Sequence, residues 1–358
     1  MHLVHGARLA RDEERHRLSS DPMGVLGGAN IAVERTIPAI AQTSIAQCVA
    51  IASRDRSRAQ AIAADLGISR AYGSYEELLG EADVDAVYIP LPNQLHVEWA
   101  ERALRAGKAV LCEKPLCLSA HDVRRLIRVR DASSGLIEEA LVFRNHPQWE
   151  FIGEVLASGG IGRPLAVQGT IAKQFLNPAD IRNQPGLGGG ATYDLGTYVI
   201  AACNLVFGRP PLRVCGAMDI DPSFGVDRLV TAILDYGEAH ASFTAGSQGG
   251  TAAWATHQQF SILGSSGWLR ANFPYAQARP AKCAVEMGDL TSVGAFPTEI
   301  REFQAVNQYA LQIERFSRLM DGKDLRHWPI EDSLITLEVI EALFRSARDK
   351  AWVELKSI

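Results

Sequence analysis

The sequence lacks the features that would direct it to a membrane or to nucleic acid. Its 358 residues contain no apolar run near the roughly 20 residues that a membrane-spanning helix needs. Positive charge is not in excess, since the formal net charge is -5, whereas nucleic-acid-binding proteins cluster Lys and Arg on one face. We therefore expect neither a membrane nor nucleic acid to be a main partner.

Cysteine is sparse, and its spacing excludes the common cysteine sites. The six cysteines include no CxxC pair, and most of them lie within apolar segments. This pattern is typical of reduced thiols in a cytoplasm and indicates neither a disulfide framework nor a zinc site. We therefore predict a cytoplasmic protein without a metal centre.

Residues 1–22 have no apolar core of the kind that a secretory signal peptide contains. They are polar and charge-rich, with the run ARLARDEERHRLSSD. We interpret them as a flexible or docking arm, or as an extension ahead of the native start. Met23, where the first predicted strand begins, is a plausible alternative start.

The remaining chain is too long for one hydrophobic core, which predicts two domains, one α/β and one α+β. Strands and helices alternate over residues 24–141, so residues 23–145 are expected to form a Rossmann domain, a doubly wound parallel sheet. In residues 146–358 strands follow one another, which predicts a large, mainly antiparallel open sheet. The C-terminal helices could pack back on the first domain.

Apolar runs and turn signals give the positions of these elements. The strands expected in the first domain are 24–26, 48–53, 84–91, 109–111 and 139–143. Those expected in the second are 163–175, 212–220, 229–236, 239–245, 260–263 and 268–273. Two helices, at about 301–320 and 331–348, close the chain.

A glycine turn follows the first predicted strand and opens an Ala-rich helical stretch. Its residues are Gly27, Gly28, Ala29, Asn30 and Ile31. Small residues let the backbone approach a pyrophosphate, and the helix N-terminus offers unpaired N–H groups. The register is G-x-A-x-x-A, and a structural turn without a ligand would explain the glycines about as well.

The second strand ends in Ser53 and Arg54. An acidic residue at this place accepts the ribose hydroxyls of NAD, whereas an arginine holds the 2'-phosphate of NADP. The sequence therefore favours NADP and leaves NAD open. The alternative is that Arg54 is a solvated arginine at the start of the next helix.

The segment AVLCEKPL begins with apolar residues that predict the end of a buried strand. Two charged residues, Glu113 and Lys114, follow directly before Pro115. Ligands of open α/β sheets lie beyond the carboxyl ends of the strands. Proline restricts the backbone around the lysine and so holds it in place. Without further evidence Lys114 could merely solvate the end of the strand.

A second constellation lies in GLGGGATYDLGTYVI, between the first two strands of the second sheet. Asp194 and Tyr198 are four residues apart and so share one face of a helix. Asp194 can accept a hydrogen bond from a sugar hydroxyl while Tyr198 exchanges a proton with the reacting oxygen. We expect the Lys114 ammonium to lower the pKa of the phenol. The alternatives are a core tyrosine and a solvated helix carboxylate.

These segments together resemble the Gfo/Idh/MocA oxidoreductase family. The resemblance rests on GVLGGANIA, YIPLPNQLH, RALRAGKAVLCEKPL, FRNHP and GGGATYDLGTY. Many members carry histidine where this chain has Tyr198. Tyrosine there, after Asp180-Ile181-Arg182, is similar to the branch with dihydrodiol dehydrogenase, glucose-fructose oxidoreductase, xylose dehydrogenase and the nucleotide-sugar 3-ketoreductases.

The resemblance implies NAD(P) bound across the first domain and a sugar-like substrate held against the second. It implies catalysis by Lys114, Tyr198 and Asp194, and substrate contacts from these three residues and Arg182. The residues that would bind or line the cofactor are Gly27, Gly28, Ala29, Asn30, Ile31, Ser53, Arg54, Leu91, Pro92, Asn93, His96, Glu113, Lys114 and Arg144. It further implies a homodimer or homotetramer formed through the C-terminal sheet.

The expected activity is therefore hydride transfer between a nicotinamide cofactor and a sugar-like alcohol or carbonyl. Two alternatives remain open at this point. One is a hydrolase or transferase of the same fold that holds NAD tightly and shows no net oxidation. The other is a catalytically silent protein that binds the cofactor and regulates.

Overall fold

The computed structural model of the chain describes residues 20–247, 256–277, 280–290, 297–323 and 327–355. The predicted extension falls almost wholly outside these ranges. Its last residues do not, because the first strand begins at Asp21, two residues before the predicted domain boundary.

The first domain is a six-stranded parallel sheet in the order β3-β2-β1-β4-β5-β6. This is the order of a doubly wound nucleotide-binding sheet. Its strands are β1 Asp21–Leu26, β2 Ala46–Ala52, β3 Arg70–Tyr72, β4 Ala86–Ile89, β5 Ala109–Cys112 and β6 Ile137–Glu139. The predicted Rossmann fold is confirmed, and β4 is fully buried because helices cover both faces.

Helices connect these strands. They are a π-helical turn Ala32–Thr36 that continues into α1 Ile37–Ile40, then α2 Arg56–Leu66, α3 Tyr75–Leu79, α4 His96–Arg105 and α5 Ala120–Ser133. Local capping explains their ends: Asp55 accepts hydrogen bonds from the backbone at the start of α2, and Gly67 ends α2 in a left-handed conformation. The predicted strand 139–143 is wrong in its bounds, because β6 stops at Glu139 and Val142–Asn145 form a 3-10 turn.

The second domain is a nine-stranded sheet in the order β14-β13-β12-β11-β7-β10-β9-β8-β15. Within this second sheet, β7 and β10 pair in parallel, and the other pairs among its described strands are antiparallel. The strands are β7 Pro164–Lys173, β8 Arg213–Ile220, β9 Asp227–Asp235, β10 His240–Gly246, β11 Thr256–Gly264, β12 Gly267–Asn272, β13 Cys283–Asp289, β14 Glu299–Phe303 and β15 Val353–Glu354. The mainly antiparallel open sheet is therefore as predicted.

The helices of this part of the chain are α6 Pro147–Ala157, α7 Thr197–Phe207, α8 Gln308–Met320 and α9 Ile330–Asp349. The sequence did not predict β13 or β14. The helix predicted at 301–320 is correspondingly too long, because Glu299–Phe303 pairs with β13 and α8 begins only at Gln308.

One face of the second sheet is covered and the other is open. Along β9, Val230, Ala232 and Leu234 are buried, whereas Leu229 and Ile233 on the opposite face are each 43% exposed. This alternation is the period-two pattern of a sheet with one packed face. Helices α7 and α9 supply the packing on the covered side.

The C-terminal helices join the two domains. Helix α9 packs against β8 and α7 of the second domain and also against α5 of the first. Arg315 on α8 forms a buried ion pair with Glu138 of β6. No helix in the described ranges is long and apolar enough to cross a membrane, and no cluster of His, Cys, Asp or Glu there could hold a metal ion.

Candidate active site

A cleft of about 560 Å³ lies between the two domains. The first domain lines it with the glycine turn and with the carboxyl ends of β4 and β5. The second domain lines it with β7, with the segment 175–182 and with the start of the helix that carries Tyr198. The cleft thus lies where a doubly wound sheet binds its ligands, beyond the carboxyl ends of its strands.

Lys114 reaches across this cleft to the second domain. Its Nζ donates to Asp194 Oδ1 at 2.6 Å and to the Asp194 backbone carbonyl at 2.8 Å. Both side chains are almost fully buried, with 10% and 12% of their surface exposed. The lysine is therefore a fixed group of the cleft rather than a solvated charge at the end of a strand.

The Asp194 carboxylate is held by two cations. Its second oxygen accepts a hydrogen bond from Arg182 Nε at 2.9 Å, and Arg182 Nη1 also donates to Asp180 at 3.2 Å. Burial by itself would raise the pKa of the Asp194 carboxyl, but the charges of Arg182 and Lys114 outweigh burial and hold that pKa well below its usual range. Asp194 is therefore ionised at neutral pH.

Tyr198 lies beside the same lysine. The ammonium of Lys114 is 5.0 Å from the centroid of the Tyr198 ring. A π-helical turn, Thr192–Gly196, precedes α7 and carries Asp194 on the same side as Tyr198. The rings of Phe143 and Tyr275 pack against the phenol from the apolar side.

The expectation that Lys114 lowers the pKa of this phenol is wrong. Burial raises the pKa of Tyr198 well above 10.0, and the nearby Glu113 and Asp194 raise it further. The charge of Lys114 is already balanced by Asp194 at 2.6 Å. Tyr198 therefore carries its proton at neutral pH, as a proton donor must.

The loop before this helix holds the two domains in register. Gly190 has a φ of +110°, and an added Cβ would lie 2.0 Å from Asp227 Oδ1. Asp227 in turn accepts hydrogen bonds from the backbone and the hydroxyl of Thr192. From the first domain, Asn93 donates to the Gly188 carbonyl at 3.1 Å.

The first domain carries a turn that fits a nucleotide cofactor. Gly27 has a φ of +114°, and an added Cβ on Gly28 would meet Ile62 at 2.4 Å, so neither position accommodates a side chain without rearrangement. Ala29, Asn30 and Ile31 then line the cleft. Small residues followed by a helix start are what a pyrophosphate requires.

Comparison with known proteins agrees with this geometry. Residues 22–137 match the model of an oxidoreductase family with an NAD-binding Rossmann fold, and residues 149–270 match a GFO/IDH/MocA C-terminal domain. An uncharacterized oxidoreductase of Rhizobium meliloti is 42% identical over 92% of this chain and 97% of that protein. The chain belongs to the Gfo/Idh/MocA oxidoreductase family.

Two further relatives of this Gfo/Idh/MocA protein carry names that match the predicted branch. A D-xylose 1-dehydrogenase (NADP(+)) of Haloferax volcanii is 36% identical over 93% of this chain and 99% of that protein. A 3-ketoreductase from Actinomadura kijaniata, solved with NADP and TDP-benzene, is 31% identical with a TM-score of 0.79, covering 91% of this chain and 98% of that one. The protein is an NAD(P)-dependent oxidoreductase, and the predicted branch is confirmed.

Most of the predicted site residues of this Gfo/Idh/MocA chain lie in the cleft. Those that line it are Ala29, Asn30, Ile31, Leu91, Asn93, Glu113, Lys114, Arg182, Asp194 and Tyr198. Glu113 is half-buried, and its Oε1 accepts a hydrogen bond from the Tyr88 hydroxyl at 2.6 Å. Burial also raises the pKa of the Glu113 carboxyl. Ser53 and Arg54 lie at the end of β2, outside the lining of the central cleft.

Seven predicted cofactor residues do not line the cleft, namely Gly27, Gly28, Ser53, Arg54, Pro92, His96 and Arg144. Each ring nitrogen of His96 lies within 2.9 Å of a backbone carbonyl, those of Leu91 and Pro115, so this buried histidine ties two loops together. Arg144 is buried, and its guanidinium lies 3.5 Å from Asp332. Pro92 begins a 3-10 turn. Both His96 and Arg144 are buried in this structure, and their contact with the cofactor stays a prediction.

Several residues of the site escaped the sequence analysis. Arg58, on α2, donates to the Gly28 carbonyl at 2.8 Å. Lys173 and Tyr309 line the cleft from the second domain. Arg58 could have been found from its place one turn into the helix that follows β2. Nothing in the local sequence marks Lys173 or Tyr309, because tertiary packing alone brings them to the cleft.

Proposed function

We propose that the protein transfers a hydride between NADP and a sugar-like alcohol or carbonyl, with Lys114, Tyr198 and Asp194 as its catalytic residues. The observation that carries the proposal is that Lys114 contacts both Asp194 and Tyr198 in one cleft beside the glycine turn. Its ammonium is 2.6 Å from the Asp194 carboxylate and 5.0 Å from the centre of the Tyr198 ring.

The chain's own residues supply the proton and the charge. When bound, the nicotinamide cofactor supplies or accepts the hydride. In the reductive direction Tyr198 gives its proton to the substrate oxygen, while Lys114 stabilises the negative charge that develops there. Asp194 fixes the lysine and can accept a hydrogen bond from a neighbouring sugar hydroxyl. Arg182 keeps that carboxylate ionised and oriented.

The surroundings of the glycine turn support NADP over NAD. Arg58 contacts the turn at Gly28, and the charges of Arg54 and Arg58 both act on the Tyr75 hydroxyl beside it. The acidic residue that follows β2, Asp55, is occupied as the N-cap of α2. The turn is therefore flanked by cations without a free carboxylate for the ribose, which favours a 2'-phosphate.

The relatives support the same cofactor and substrate class. One is named as an NADP-dependent xylose dehydrogenase, and the other was solved with NADP and a TDP derivative. We also propose that residues 21–145 bind the cofactor, that the second domain binds the substrate, and that copies associate as a homodimer or homotetramer through the open sheet face. Exposed apolar residues on that face, such as Leu229, Ile233 and Leu263, support the association.

A binding and activity screen tests the redox function. NADP and NAD are titrated first, followed by pentoses, hexoses and their keto forms, with absorbance of the reduced cofactor as the readout. We expect NADP to bind more tightly than NAD and at least one sugar-like substrate to be turned over. Tight NADP binding without turnover of any member of a broad panel would favour the regulatory alternative.

Arginine variants test the choice of cofactor. Arg58→Ala should weaken NADP binding by about tenfold or more while changing NAD binding little, because a charge-assisted hydrogen bond to phosphate is lost. Arg56→Ala is the matched control, since Arg56 is exposed and paired with Glu77 at 2.7 Å. An equal loss of NADP and NAD affinity in Arg58→Ala would contradict the assignment.

A further inference from the structure

Lys173 is a cation of the cleft that the proposed mechanism does not use. It is the last residue of β7 and lines the cleft together with Lys114, Arg182 and Asp194. Its ammonium lies 5.0 Å from the centroid of the Phe175 ring. The guanidinium of Arg182 contacts the same ring at 4.4 Å. One aromatic ring therefore holds two like charges next to the reaction centre.

The carboxylates near Lys173 are occupied by other partners. Asp194 is shared by Lys114 and Arg182, and Asp180 is bound by Arg182. Glu113 accepts a hydrogen bond from Tyr88. Within the described part of the chain Lys173 forms no hydrogen bond or ion pair, and its ammonium contacts the ring of Phe175.

This arrangement is unfavourable for the protein without a ligand. Burial lowers the pKa of the Lys173 ammonium and the positive charges of Arg182 and Lys114 lower it further, whereas Asp194 and Asp180 offset these effects only in part. A half-buried cation among like charges costs free energy that an aromatic ring offsets only in part. A ligand that brings a negative group into the cleft would offset this electrostatic cost.

We propose that Lys173 binds an anionic oxygen group of the substrate, a carboxylate or a phosphate, beside the reacting carbon. The inference rests on the proposed function in one respect, namely that a substrate occupies this cleft. The cofactor's own phosphates are not the expected occupant, because the glycine turn that fits them belongs to the first domain, whereas Lys173 belongs to the sheet of the second. The substrate class is thereby narrowed from neutral sugars to sugar acids, sugar phosphates or nucleotide-linked sugars.

The test compares matched ligands on the NADP complex at constant ionic strength. D-Glucose, D-glucuronate and D-glucose 6-phosphate are titrated by calorimetry against the unaltered protein, Lys173→Met and Lys173→Arg. Lys323→Met is the control, since Lys323 is exposed and paired only with Asp321 among the described residues. Folding of each variant is checked by its thermal midpoint.

We expect at least one anionic ligand to bind about ten- to hundredfold more tightly than glucose, the range of a charge-assisted hydrogen bond. Lys173→Met should abolish this preference, Lys173→Arg should keep most of it, and Lys323→Met should leave it unchanged. The tighter of the two anions identifies carboxylate or phosphate as the recognised group. In the unaltered protein, added salt should weaken binding of the anionic ligand and leave binding of glucose unchanged. This result does not depend on the folding of any variant.

Equal binding of glucose and both anions, or a preference that survives in a folded Lys173→Met variant, would overturn the inference. The outcome is separable from that of the redox proposal. Anion binding that depends on Lys173 without turnover of any substrate would reject the redox function and retain the anion site. Turnover of neutral sugars without an anion preference would do the reverse.

Discussion

At the scale of single residues, the cleft holds charges in fixed positions by pairing them with one another. Asp194 holds Lys114 on one oxygen and Arg182 on the other, at 2.6 and 2.9 Å. Because these groups are buried, their fields act on a substrate at low effective dielectric, where a fixed charge stabilises a developing charge far more than in water. Tyr198 keeps its proton for the same reason, since burial disfavours its phenolate.

Replacing Lys114 with Ala removes the ammonium that faces Tyr198 and Asp194. We expect kcat to fall by about two to three orders of magnitude, the usual loss when a preorganised charge-stabilising donor is removed. NADP binding should be mostly retained, because the glycine turn is unchanged. Steady-state kinetics and cofactor titration measure the two effects, and wild-type turnover in Lys114→Ala on a confirmed substrate would show that the assignment is wrong.

The buried histidine His146 should make the stability of the protein depend on pH. Its Nδ1 accepts the first backbone hydrogen bond of α6, and burial lowers the pKa of its ring from 6.5 to about 4. Between these values the unfolded chain binds more protons than the folded one. The contribution of neutral His146 to the free energy of unfolding is therefore fully present above about pH 6.5. It decreases as the pH falls towards 4, by up to about 3 kcal/mol.

His146→Asn tests this dependence, because asparagine also caps helices well but does not titrate. The urea midpoint of the variant should fall less than that of the natural protein between about pH 7 and about pH 5. The other buried histidine, His96, is present in both proteins and cancels in the comparison. Identical pH dependence in the two proteins would remove His146 as the cause.

At the scale of elements, the glycine loop before α7 positions the side chains that we propose as catalytic, Asp194 and Tyr198. Gly190 has no room for a side chain, because Asp227 occupies the position of its Cβ and binds Thr192 at the first turn of the helix. The loop also receives the hydrogen bond from Asn93 of the first domain. Hydrogen bonds therefore connect this loop both to the start of the helix and to the first domain, and we treat the three as one structural unit.

Gly190→Ala should disturb this unit, and Gly186→Ala is its matched control in the same loop. An added Cβ at Gly190 would clash with Asp227 at a φ of +110°, whereas Gly186 has nothing within 4 Å. We expect Gly190→Ala to lose about 1–3 kcal/mol of stability from backbone strain and most of its activity. Thermal midpoints and turnover measure both losses. Equal behaviour of the two variants would contradict this account of the loop.

At the scale of the whole molecule, the second sheet has one face packed by helices and one face open. The open face carries Leu263 and Ile233, which are 44% and 43% exposed. A concavity of about 390 Å³ lies on the same sheet, lined in part by Leu263, Trp268 and Arg270. Exposed apolar side chains beside a concavity are typical of a protein interface.

Ile233→Glu should therefore prevent self-association, because it places a charge in the centre of the proposed interface. Light scattering after gel filtration should give a dimer or tetramer for the natural protein and a smaller species for the variant. Ala64→Glu, at an exposed position on α2, is the control and should leave the mass unchanged. A monomeric natural protein would refute association through this face.

The sequence by itself determined the Rossmann domain, because wholly apolar strands that alternate with helices permit only a sheet covered on both faces. It also determined the chemical inventory of the site, since Lys114 and Glu113 follow a strand end and Asp194 and Tyr198 share a helix face. It did not place β13 and β14, although each of them pairs with the strand that precedes it in the chain.

Tertiary structure alone decided which of these groups meet and in what ionisation state. The pairing of Lys114 with Asp194 spans 80 residues, and only the packing of two domains brings them together. Burial raised the pKa of Tyr198 instead of lowering it, and the packing of the two domains placed His96 and Arg144 outside the lining of the cleft. Burial likewise left Lys173 beside the reaction centre with like charges around it. Desolvation and long-range contacts depend on the whole fold. The types of side chain in the site could therefore be predicted from the sequence, whereas their contacts and ionisation states could not.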